Sequence, residues 1–455
     1  MPKVKRGGTG RELLTTRRTF LKRAGASAAA VGLASAGFGP FVQRGALAAD
    51  KTLKILQWSH FVPAYDTWFD KFAGDWGNAH GIEVTVDHIP HLEIPARSAA
   101  EVAAQSGHDL FGFNGAGGPI LYRRHTVDMS SLVHEIEKKF GKVSAAGRGV
   151  AYDVETKTWP AYPDYYVRLP GLYRKDLWDE IGMTPDTWDD VRVGGAKLRV
   201  KGHPVGISLA HSVDPSTSWR AVMFSYGGAI ADATGKHNVI KSRENLEAIK
   251  FVRALYKEAE TPEVFTWDPS SNNRMMLAGR GSFILNAISV TRTAEKENPE
   301  IARKIGLAPA LAGPVRSLTC EHVMNCYVIW KFAENPDGAR QFLVDLADNL
   351  PSVFRQSEFY NLPCYPQTVP DLPEELARDP KADPPGKYRI LATAVDWSAN
   401  VGYPGYATAA TDEIFNTFLI PTLFARVARD EASPEEALRA AEDAARRVFE
   451  RRRSA

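Results

Sequence analysis

The stretch from residue 53 to residue 86 decides the fold. Residues 53–58 (LKILQW) have the apolar composition of a strand, and residues 64–79 place aromatic side chains near helical spacing on one face. Gly81, which tolerates a positive φ, ends this helix, and residues 82–86 (IEVTV) alternate as a half-buried strand does. A strand, an amphipathic helix and a strand within about 35 residues predict a βαβ unit with parallel strands and a right-handed crossover.

The same alternation of strands and helices continues along the chain. Another apolar strand, residues 109–113 (DLFGF), leads into a glycine-rich loop at residues 114–118 (NGAGG). Amphipathic helices are predicted at residues 244–260, 336–349, 412–429 and 434–452. A proline-rich interval, residues 362–386, is predicted to be irregular connecting chain. The order of elements favours an α/β architecture over an all-α or all-β fold.

Composition and charge exclude several classes of protein. The chain has 455 residues, of which 44% are apolar and 24% charged, as in ordinary globular proteins. Intrinsic disorder and a small disulfide-stapled scaffold are therefore excluded. The net charge of +2 combines two unlike segments, because residues 1–48 carry +8 and residues 49–455 carry −6. An acidic body without a long basic run excludes nucleic acid as a partner.

The first 48 residues have the pattern of a twin-arginine signal peptide. Residues 16–22 (TRRTFLK) precede an Ala/Gly-rich stretch at residues 24–38, and Ala46-Leu47-Ala48 supplies small residues for cleavage. The apolar stretch is too short for a membrane span of about 20 residues. We expect export through the twin-arginine translocase and a mature protein that begins near Ala49 in the periplasm.

Motifs for cofactor or metal chemistry are not found in the sequence. It has no dinucleotide-binding glycine pattern, nucleophile elbow, zinc-protease motif or calcium loop, so no cofactor and no metal are predicted. His88 and His91 are interpreted as solvated loop residues. The spacing of Cys320, Cys326 and Cys364 matches no redox or zinc motif; a Cys320–Cys326 bridge is allowed, but small buried apolar side chains are the favoured interpretation.

Aromatic residues stand beside polar residues at predicted strand ends and in loops. In open parallel sheets, ligands collect at the carboxyl ends of the strands. A flat ring stacks on the C–H face of a sugar, while amides and imidazoles bind its hydroxyls. The candidate binding residues from this pattern are Trp58, His60, Phe113, Asn114, Trp219, Asn286 and Tyr403. By contrast, Trp68, Trp76 and Trp178 are predicted to be core residues.

A series of short motifs, in order, identifies a family resemblance. The motifs are GHDLF (107–111), AYP (161–163), LYRKDLW (172–178), MTPDTWDD (183–190), YGG (226–228), MLAGRGSF (276–283), APALAGP (308–314), NPDGA (335–339) and SPEEAL (433–438). Over residues 50–455 the chain resembles the family 1 extracellular solute-binding proteins of bacterial ABC importers, the maltose-binding-protein-like group. Arg174 departs from the Asn common in the family, and the twin-arginine signal replaces its usual lipoprotein or secretory signal.

The resemblance implies two α/β lobes with discontinuous domains and a ligand cleft between them. The implied lobes are residues 50–162 with 318–364, and residues 163–317 with 365–455. The implied hinges lie near residues 162–163, 316–322 and 363–365. The lobes close on the ligand, and a membrane permease recognises the closed form.

The resemblance also distributes the candidate residues over the two lobes. It places Trp58, His60, Phe113 and Asn114 on the first lobe, and Tyr165, Trp219, Asn286 and Tyr403 on the second. Stacking is expected from Trp58, Trp219 and Tyr403, and hydroxyl recognition from His60, Asn114 and Asn286. On this basis Trp219→Ala is expected to weaken ligand binding by at least about 1 kcal/mol without unfolding the protein.

The function predicted from the sequence is a monomeric periplasmic receptor of an ABC importer that binds a sugar, an oligosaccharide or a polyol. It is not predicted to be an enzyme. Two alternatives stay open. One is a binding protein for a charged small ligand, namely a polyamine, a glycerophosphodiester or a ferric ion held by Tyr165 and Tyr166. The other is a periplasmic enzyme exported by the twin-arginine route.

Overall fold

A computed structural model describes residues 51–115 and 117–454 of the chain. The predicted signal peptide lies outside these residues. The strands are β1 Lys51–Trp58, β2 Ile82–Ile89, β3 Leu110–Phe113, β4 Tyr162–Val167, β5 Gly171–Arg174, β6 Phe283–Leu285, β7 Ile305–Ala308, β8 Thr319–Cys320, β9 Val323–Ile329, β10 Leu362–Pro363 and β11 Ser398–Ala399.

The described helices are distributed along the whole of this part of the chain. They are α1 Pro63–His80, α2 Ile94–Ala104, α3 Gly118–Leu121, α4 Ser130–Phe140, α5 Ala145–Ala151, α6 Lys175–Glu180, α7 Trp188–Val200, α8 Val213–Ser225, α9 Arg243–Ala259, α10 Ser271–Leu277, α11 Ser289–Glu297, α12 Pro299–Lys304, α13 Pro336–Asp348, α14 Leu350–Gln356, α15 Leu372–Ala377, α16 Ala409–Asn416, α17 Leu419–Ala428 and α18 Pro434–Ser454. Short 3₁₀ turns occur at His91–Glu93, Pro262–Phe265, Pro366–Thr368 and Lys387–Thr393.

The larger sheet has six strands in the order β10-β4-β9-β3-β1-β2. Strand β1 pairs parallel with β2 along its whole length and also with β3, which confirms the predicted parallel βαβ unit. Strand β9 runs antiparallel to both of its neighbours. Phe111 of β3 lies opposite Val328 of β9, and Val167 of β4 lies opposite Val323 of β9. The carboxyl ends of β1 and β3 and the amino end of β9 therefore lie at one edge of the sheet.

Two smaller sheets complete the strand topology. Strands β6, β5 and β7 form an antiparallel three-stranded sheet in that order, and β11 pairs parallel with β8. Only two residues, Glu321 and His322, separate β8 from β9, and both side chains are buried. The chain thus enters the six-stranded sheet directly from the smaller β8–β11 pair.

The apolar residues form two large clusters and one small one. The first packs on the six-stranded sheet and includes Leu53, Phe69 and Phe342, together with apolar residues from 365–407. The second is built from α7, α8, α9, α17 and α18 and includes Trp178. The third lies at the three-stranded sheet. These clusters hold the sheets and helices together by removing apolar surface from water.

Two predicted segments differ from the structure. The helix expected at 412–429 is interrupted by Phe418, whose φ is 54°, so that α16 and α17 are separate helices. Pro421 lacks an N–H and cannot bond to a preceding turn, but it fits in the first turn of α17. The interval 362–386 is not wholly irregular, because it holds β10, a 3₁₀ turn and α15.

The three cysteines are buried, and no disulfide joins them. Cys320 and Cys326 lie in β8 and β9, where their small side chains pack in the first apolar cluster. In residues 51–115 and 117–454, no helix combines the length and the apolar composition needed to cross a membrane.

The carboxyl group of Glu260 is buried, which leads us to expect that stability depends on pH. Its Oε1 accepts a hydrogen bond of 2.9 Å from the Ile207 N–H, Oε2 has no partner, and burial raises its pKa to about 8. The folded protein therefore holds this proton up to about pH 8, whereas an unfolded chain releases it at about pH 4. The free energy of unfolding consequently falls as the pH rises between these two values. We expect the melting temperature of Glu260→Gln to fall less between pH 5 and pH 8 than that of the wild type.

The matched control is Glu244→Gln, which makes the same substitution at an exposed position in the first turn of α9. This control should keep the wild-type change in melting temperature. Equal changes in wild type and Glu260→Gln would contradict the prediction.

Candidate functional site

A cavity of about 400 Å³ lies between the edge of the six-stranded sheet and the helices α8, α16 and α17. On the sheet side it is lined by Trp58, Phe61, His91, Leu92, Ile94, Pro95, Ala96, Ser98, Phe113, Asn114, Gly115, Gly118, Leu121, Tyr122, His322 and Val323. On the opposite side it is lined by His211, Val213, Asp214, Asp412, Glu413, Phe415, Asn416, Thr417, Phe418 and Arg452. Its lining is rich in aromatic rings, with a small number of polar groups from both sides, as in small-molecule sites.

The sheet side of the cavity is built at strand ends. Trp58 is the last residue of β1, Phe113 is the last residue of β3, and Val323 begins β9. These three positions lie on adjacent strands at one edge of the sheet. The expected location of a site at the carboxyl ends of parallel strands is therefore the location of this cavity.

The Trp58 indole is held in a fixed orientation. Its Nε1–H donates to the Tyr165 hydroxyl at 2.9 Å, and its ring lies 4.7 Å from the His60 ring and 5.6 Å from Phe61. Trp58 lines the cavity, whereas Tyr165 and His60 lie behind it and do not. Sequence reasoning placed all three in a binding role; the structure brings them together, with Trp58 facing the cavity and the other two supporting it.

Both ring nitrogens of His60 have hydrogen-bond partners in this network. Nδ1 lies 2.9 Å from the Val62 N and 3.1 Å from the Val62 carbonyl oxygen, and Nε2 lies 2.9 Å from Asn361 Oδ1. Burial lowers the pKa of His60 to about 4, and the ring is therefore neutral at neutral pH. Its role here is to pack against Trp58, and its polar atoms are already used.

Phe113 and Asn114, two further candidate binding residues, also line the cavity. A Cβ added to Gly118 would come 2.5 Å from the Phe113 ring, so this glycine is needed for the ring to lie flat against α3. The Asn114 side chain makes no hydrogen bond to any residue that the structure describes, and its amide is available to a ligand. Between them, the two residues supply a ring and a free amide.

The opposite side of the cavity presents a buried carboxylate, Asp214, in the first turn of α8. Its Oδ2 accepts a hydrogen bond of 2.8 Å from Asn272 Nδ2, and burial raises its pKa to about 7. The Asn286 amide donates to Asn272 Oδ1 at 3.1 Å and to Asn273 Oδ1 at 2.6 Å. Asn286 was expected to bind ligand directly; it does not line the cavity but orients the amide that holds Asp214.

Two histidines on the sheet side are neutral. His322 Nε2 lies 3.8 Å from Asp214 Oδ1, and its Nδ1 has no partner. Burial lowers the pKa of His322 to about 3 and that of His91 to about 4. Neither ring therefore brings positive charge to the cavity at neutral pH.

A direct hydrogen bond that Asp412 accepts joins the two sides of the cavity. Its Oδ1 accepts from the Gly117 N–H at 2.9 Å, which links α16 to the loop after β3. Burial raises the pKa of Asp412 to about 6, although this hydrogen bond acts in the opposite direction. Beside it, the Phe418 ring stacks on His211 at 5.8 Å, so the break between α16 and α17 places a ring at the cavity.

Trp219 and Tyr403 do not line the cavity. Trp219 is 0% exposed in the second apolar cluster, its Nε1–H donates to the Ser208 carbonyl at 2.9 Å, and its ring lies 5.7 Å from Phe424. The Tyr403 hydroxyl is hydrogen-bonded to Arg316, and its ring packs against Phe224 at 5.1 Å. Both rings, which were expected to stack on a ligand, therefore make packing contacts outside this cavity.

Several cavity residues were not among the predicted site residues. They are Phe61, His91, His211, Asp214, His322, Asp412 and Phe418. A usable signal existed for Asp214, because it begins the polar segment DPSTSW (214–219) at the start of a predicted helix. No local signal marks His322, since only the return of the chain at β9 brings it to the cavity.

The cavity carries little positive charge. Its one cationic side chain, Arg452, pairs with Glu413 at 2.7 Å. Among residues 51–115 and 117–454, no group of three or more His, Cys, Asp or Glu side chains is placed to hold a metal ion. The arrangement can stack flat apolar faces and accept hydrogen bonds, and it offers few donors to an anion.

A family model matches the central part of the chain. Residues 141–349 match the model of the family described as bacterial extracellular solute-binding protein, which confirms the family resemblance. A probable ABC transporter-binding protein of Deinococcus radiodurans is 24% identical over 208 residues, which are 43% of this chain and 48% of that relative. The alignment thus spans about half the length of the curated relative.

Solved structures share the fold over most of the chain. An ABC transporter solute-binding protein from Thermotoga lettingae bound with α-D-tagatose has a TM-score of 0.74 at 18% identity, covering 88% of this chain and 100% of that one. A sugar transporter from Arthrobacter chlorophenolicus with bound laminaribiose has a TM-score of 0.74 at 16% identity, covering 87% and 99%. The chain therefore has the two-lobed α/β fold of these solved proteins.

Because Trp219 lies in the core, we expect its substitution to change the stability of the protein. The sequence had predicted a change in ligand binding instead. Trp219→Ala should lower the free energy of unfolding by about 3–5 kcal/mol, because it removes a large buried ring and leaves a cavity. Denaturant unfolding measures this loss. The control, Trp68→Ala, alters a partly exposed tryptophan on α1 and should cost clearly less. A Trp219→Ala protein as stable as the Trp68→Ala control would contradict the core assignment.

Proposed function

We propose that this chain, whose residues 141–349 belong to the bacterial extracellular solute-binding family, binds a carbohydrate or polyol in the cavity between Trp58 and Asp214 for an ABC importer. The observation that carries the proposal is the composition of that cavity. Aromatic rings from the sheet side meet carboxylate and amide groups from the other side, as the recognition of a sugar ring and its hydroxyls requires.

The structural relatives support a sugar over other small ligands. The two compared proteins carry tagatose and laminaribiose, both carbohydrates, in the same fold. Three candidate residues from the sequence, Trp58, Phe113 and Asn114, line the cavity and are proposed to contact the ligand. His60, Tyr165 and Asn286 are proposed to act behind them as positioning residues.

The proposed mechanism is closure of two lobes on the ligand. The lobes would be residues 50–162 with 318–364, and residues 163–317 with 365–455, joined by hinges near residues 162–163, 316–322 and 363–365. A ligand that contacts both Trp58 and Asp214 stabilises the closed arrangement, because only that arrangement offers both contacts. The Asp412–Gly117 hydrogen bond, which already joins the two sides, would add to closure.

The proposal also covers the delivery of the ligand to a permease and the location of the protein. The closed receptor, acting as a monomer without catalysis or cofactor, would hand its ligand to the permease subunits of an ABC importer. The Arg17-Arg18 signal would direct the folded protein through the twin-arginine translocase to the periplasm. The family description as extracellular supports this location.

The charges in the cavity argue against two of the alternatives. A glycerophosphodiester needs cationic side chains, and the one cation in the lining, Arg452, is paired with Glu413. A ferric ion would need Tyr165 and Tyr166 together, but the Tyr165 hydroxyl accepts from Trp58 and the Tyr166 ring lies 3.4 Å from the Arg168 guanidinium. Polyamines stay as the competing ligand class, because Asp214 and Asp412 are both at the cavity.

A thermal-shift screen tests the proposed function. Sugars, oligosaccharides, alditols, polyamines and glycerophosphodiesters are added to the purified protein, and its melting temperature is recorded. A ligand at 100 times its Kd adds about 2.7 kcal/mol of stability, which raises the melting temperature by several degrees. We expect the shift from a carbohydrate, and we expect Trp58→Ala to abolish it.

Trp68→Ala is the matched control, because it removes an indole from α1 outside the cavity. It should keep the carbohydrate-induced shift. The proposal would be contradicted by a rise in melting temperature with polyamines alone, or by an undiminished carbohydrate-induced rise in Trp58→Ala.

A further inference from the structure

The cavity holds a buried carboxylate that no cationic side chain balances. Asp214 is 5% exposed, and its Oδ2 has Asn272 as its donor. Within the described part of the chain, the one basic side chain within 4 Å of its Oδ1 is His322, at 3.8 Å and beyond hydrogen-bonding distance. The amino end of α8 favours the ionised carboxylate, but a helix end supplies only a partial charge.

The groups around Asp214 do not supply the missing charge. His322 is buried with an unpartnered Nδ1. Tyr360 is also buried, and its hydroxyl has no partner. Polar capacity around Asp214 is therefore left unused by the protein itself, although buried polar groups are nearly always paired.

Several buried carboxylates elsewhere in the described part of the chain are paired with cations. Glu295 lies 3.0 Å from Arg292, Asp379 lies 2.5 Å from the same guanidinium, and Glu358 lies 2.9 Å from Lys296. Asp164, Glu260 and Glu321 lack such a partner, but none of them lines the cavity. Asp412 lines the cavity and accepts from the Gly117 backbone N–H, whereas Asp214 lines the cavity and accepts only from the neutral Asn272 amide among the described residues.

The rest of the cavity suits a cation better than an anion. Its aromatic lining includes Trp58, Phe61, Phe113, Tyr122, Phe415 and Phe418, and ring faces attract cations. A buried carboxylate is costly without a partner of opposite charge, and an ammonium group delivered by a ligand would offset that cost. The free Asn114 amide provides hydroxyl recognition at the same cavity.

We propose that the carbohydrate bound in this cavity carries a protonated amine, as in an amino sugar or an amino alditol, and that Asp214 receives the ammonium group. The proposal rests on the proposed function, because it assumes a carbohydrate ligand in the cavity. It goes further in stating the charge of that ligand and the residue that selects it. The ammonium would replace the side-chain cation that Asp214 lacks.

Paired ligands that differ in one amine test the proposal. Isothermal titration calorimetry at neutral pH compares glucosamine and galactosamine with glucose and galactose, and glucamine with sorbitol. N-acetylglucosamine, which keeps the nitrogen but loses the charge, is included. We expect the best amine to bind at least about tenfold more tightly than its neutral and acetylated counterparts, as for a charge-assisted hydrogen bond in a buried site.

Asp214→Asn should remove most of this preference, because the amide keeps the shape but not the charge. Its affinity for the amine should fall at least about tenfold more than its affinity for the neutral sugar, whose hydroxyl can still bond to the amide. The control, Asp371→Asn, removes an exposed carboxylate that makes no side-chain cap at α15 and should keep the preference. If circular dichroism finds Asp214→Asn unfolded, the wild-type comparison of the amine with its acetylated form decides alone.

The possible failures are distinguishable. Neutral sugars that bind as tightly as the amines would overturn this inference and leave the proposed function standing. Binding of diamines such as putrescine, without binding of any carbohydrate, would overturn both. A preference for amines that persists in Asp214→Asn would overturn the assignment to Asp214.

Discussion

Strand β9 lies between β3 and β4 in the six-stranded sheet and pairs antiparallel with both. More than 150 residues separate β4 from β9, so the chain builds the β5–β7 sheet and helices α6 to α12 before it returns. Closing so long a loop is entropically costly, and burial of all seven residues of β9 offsets the cost. This pairing joins strands that are far apart in the sequence and brings His322 and Val323 to the strand ends that carry Trp58 and Phe113.

The cavity combines a rigid side with a charged side. On the sheet, the Trp58 indole is held by Tyr165 and packed by His60, so little conformational freedom is left to lose on binding. On the other side, an amide relay from Asn286 through Asn272 fixes the carboxylate of Asp214. A ligand that reaches both sides gains contacts that neither offers alone, which is the physical basis of the closure that we propose.

Local sequence patterns predicted much of the fold and only part of the cavity lining. The βαβ unit at residues 53–86 follows from periodicity, and Trp58, Phe113 and Asn114 follow from the rule that ligands meet strand ends. Trp219 could not be placed correctly, because α8 is buried on almost every side and its periodicity does not indicate which face meets a cavity. Asp214, on the same helix, meets the cavity only through the packing of α8 against the sheet edge.

We propose that one carbohydrate molecule occupies the cavity and touches both of its sides. A crystal structure of the protein with a bound carbohydrate measures this most directly. We expect ligand density against the Trp58 ring on one side and within hydrogen-bonding distance of the Asp214 carboxylate on the other. Ligand density outside this cavity, or in contact with only one of its sides, would contradict it.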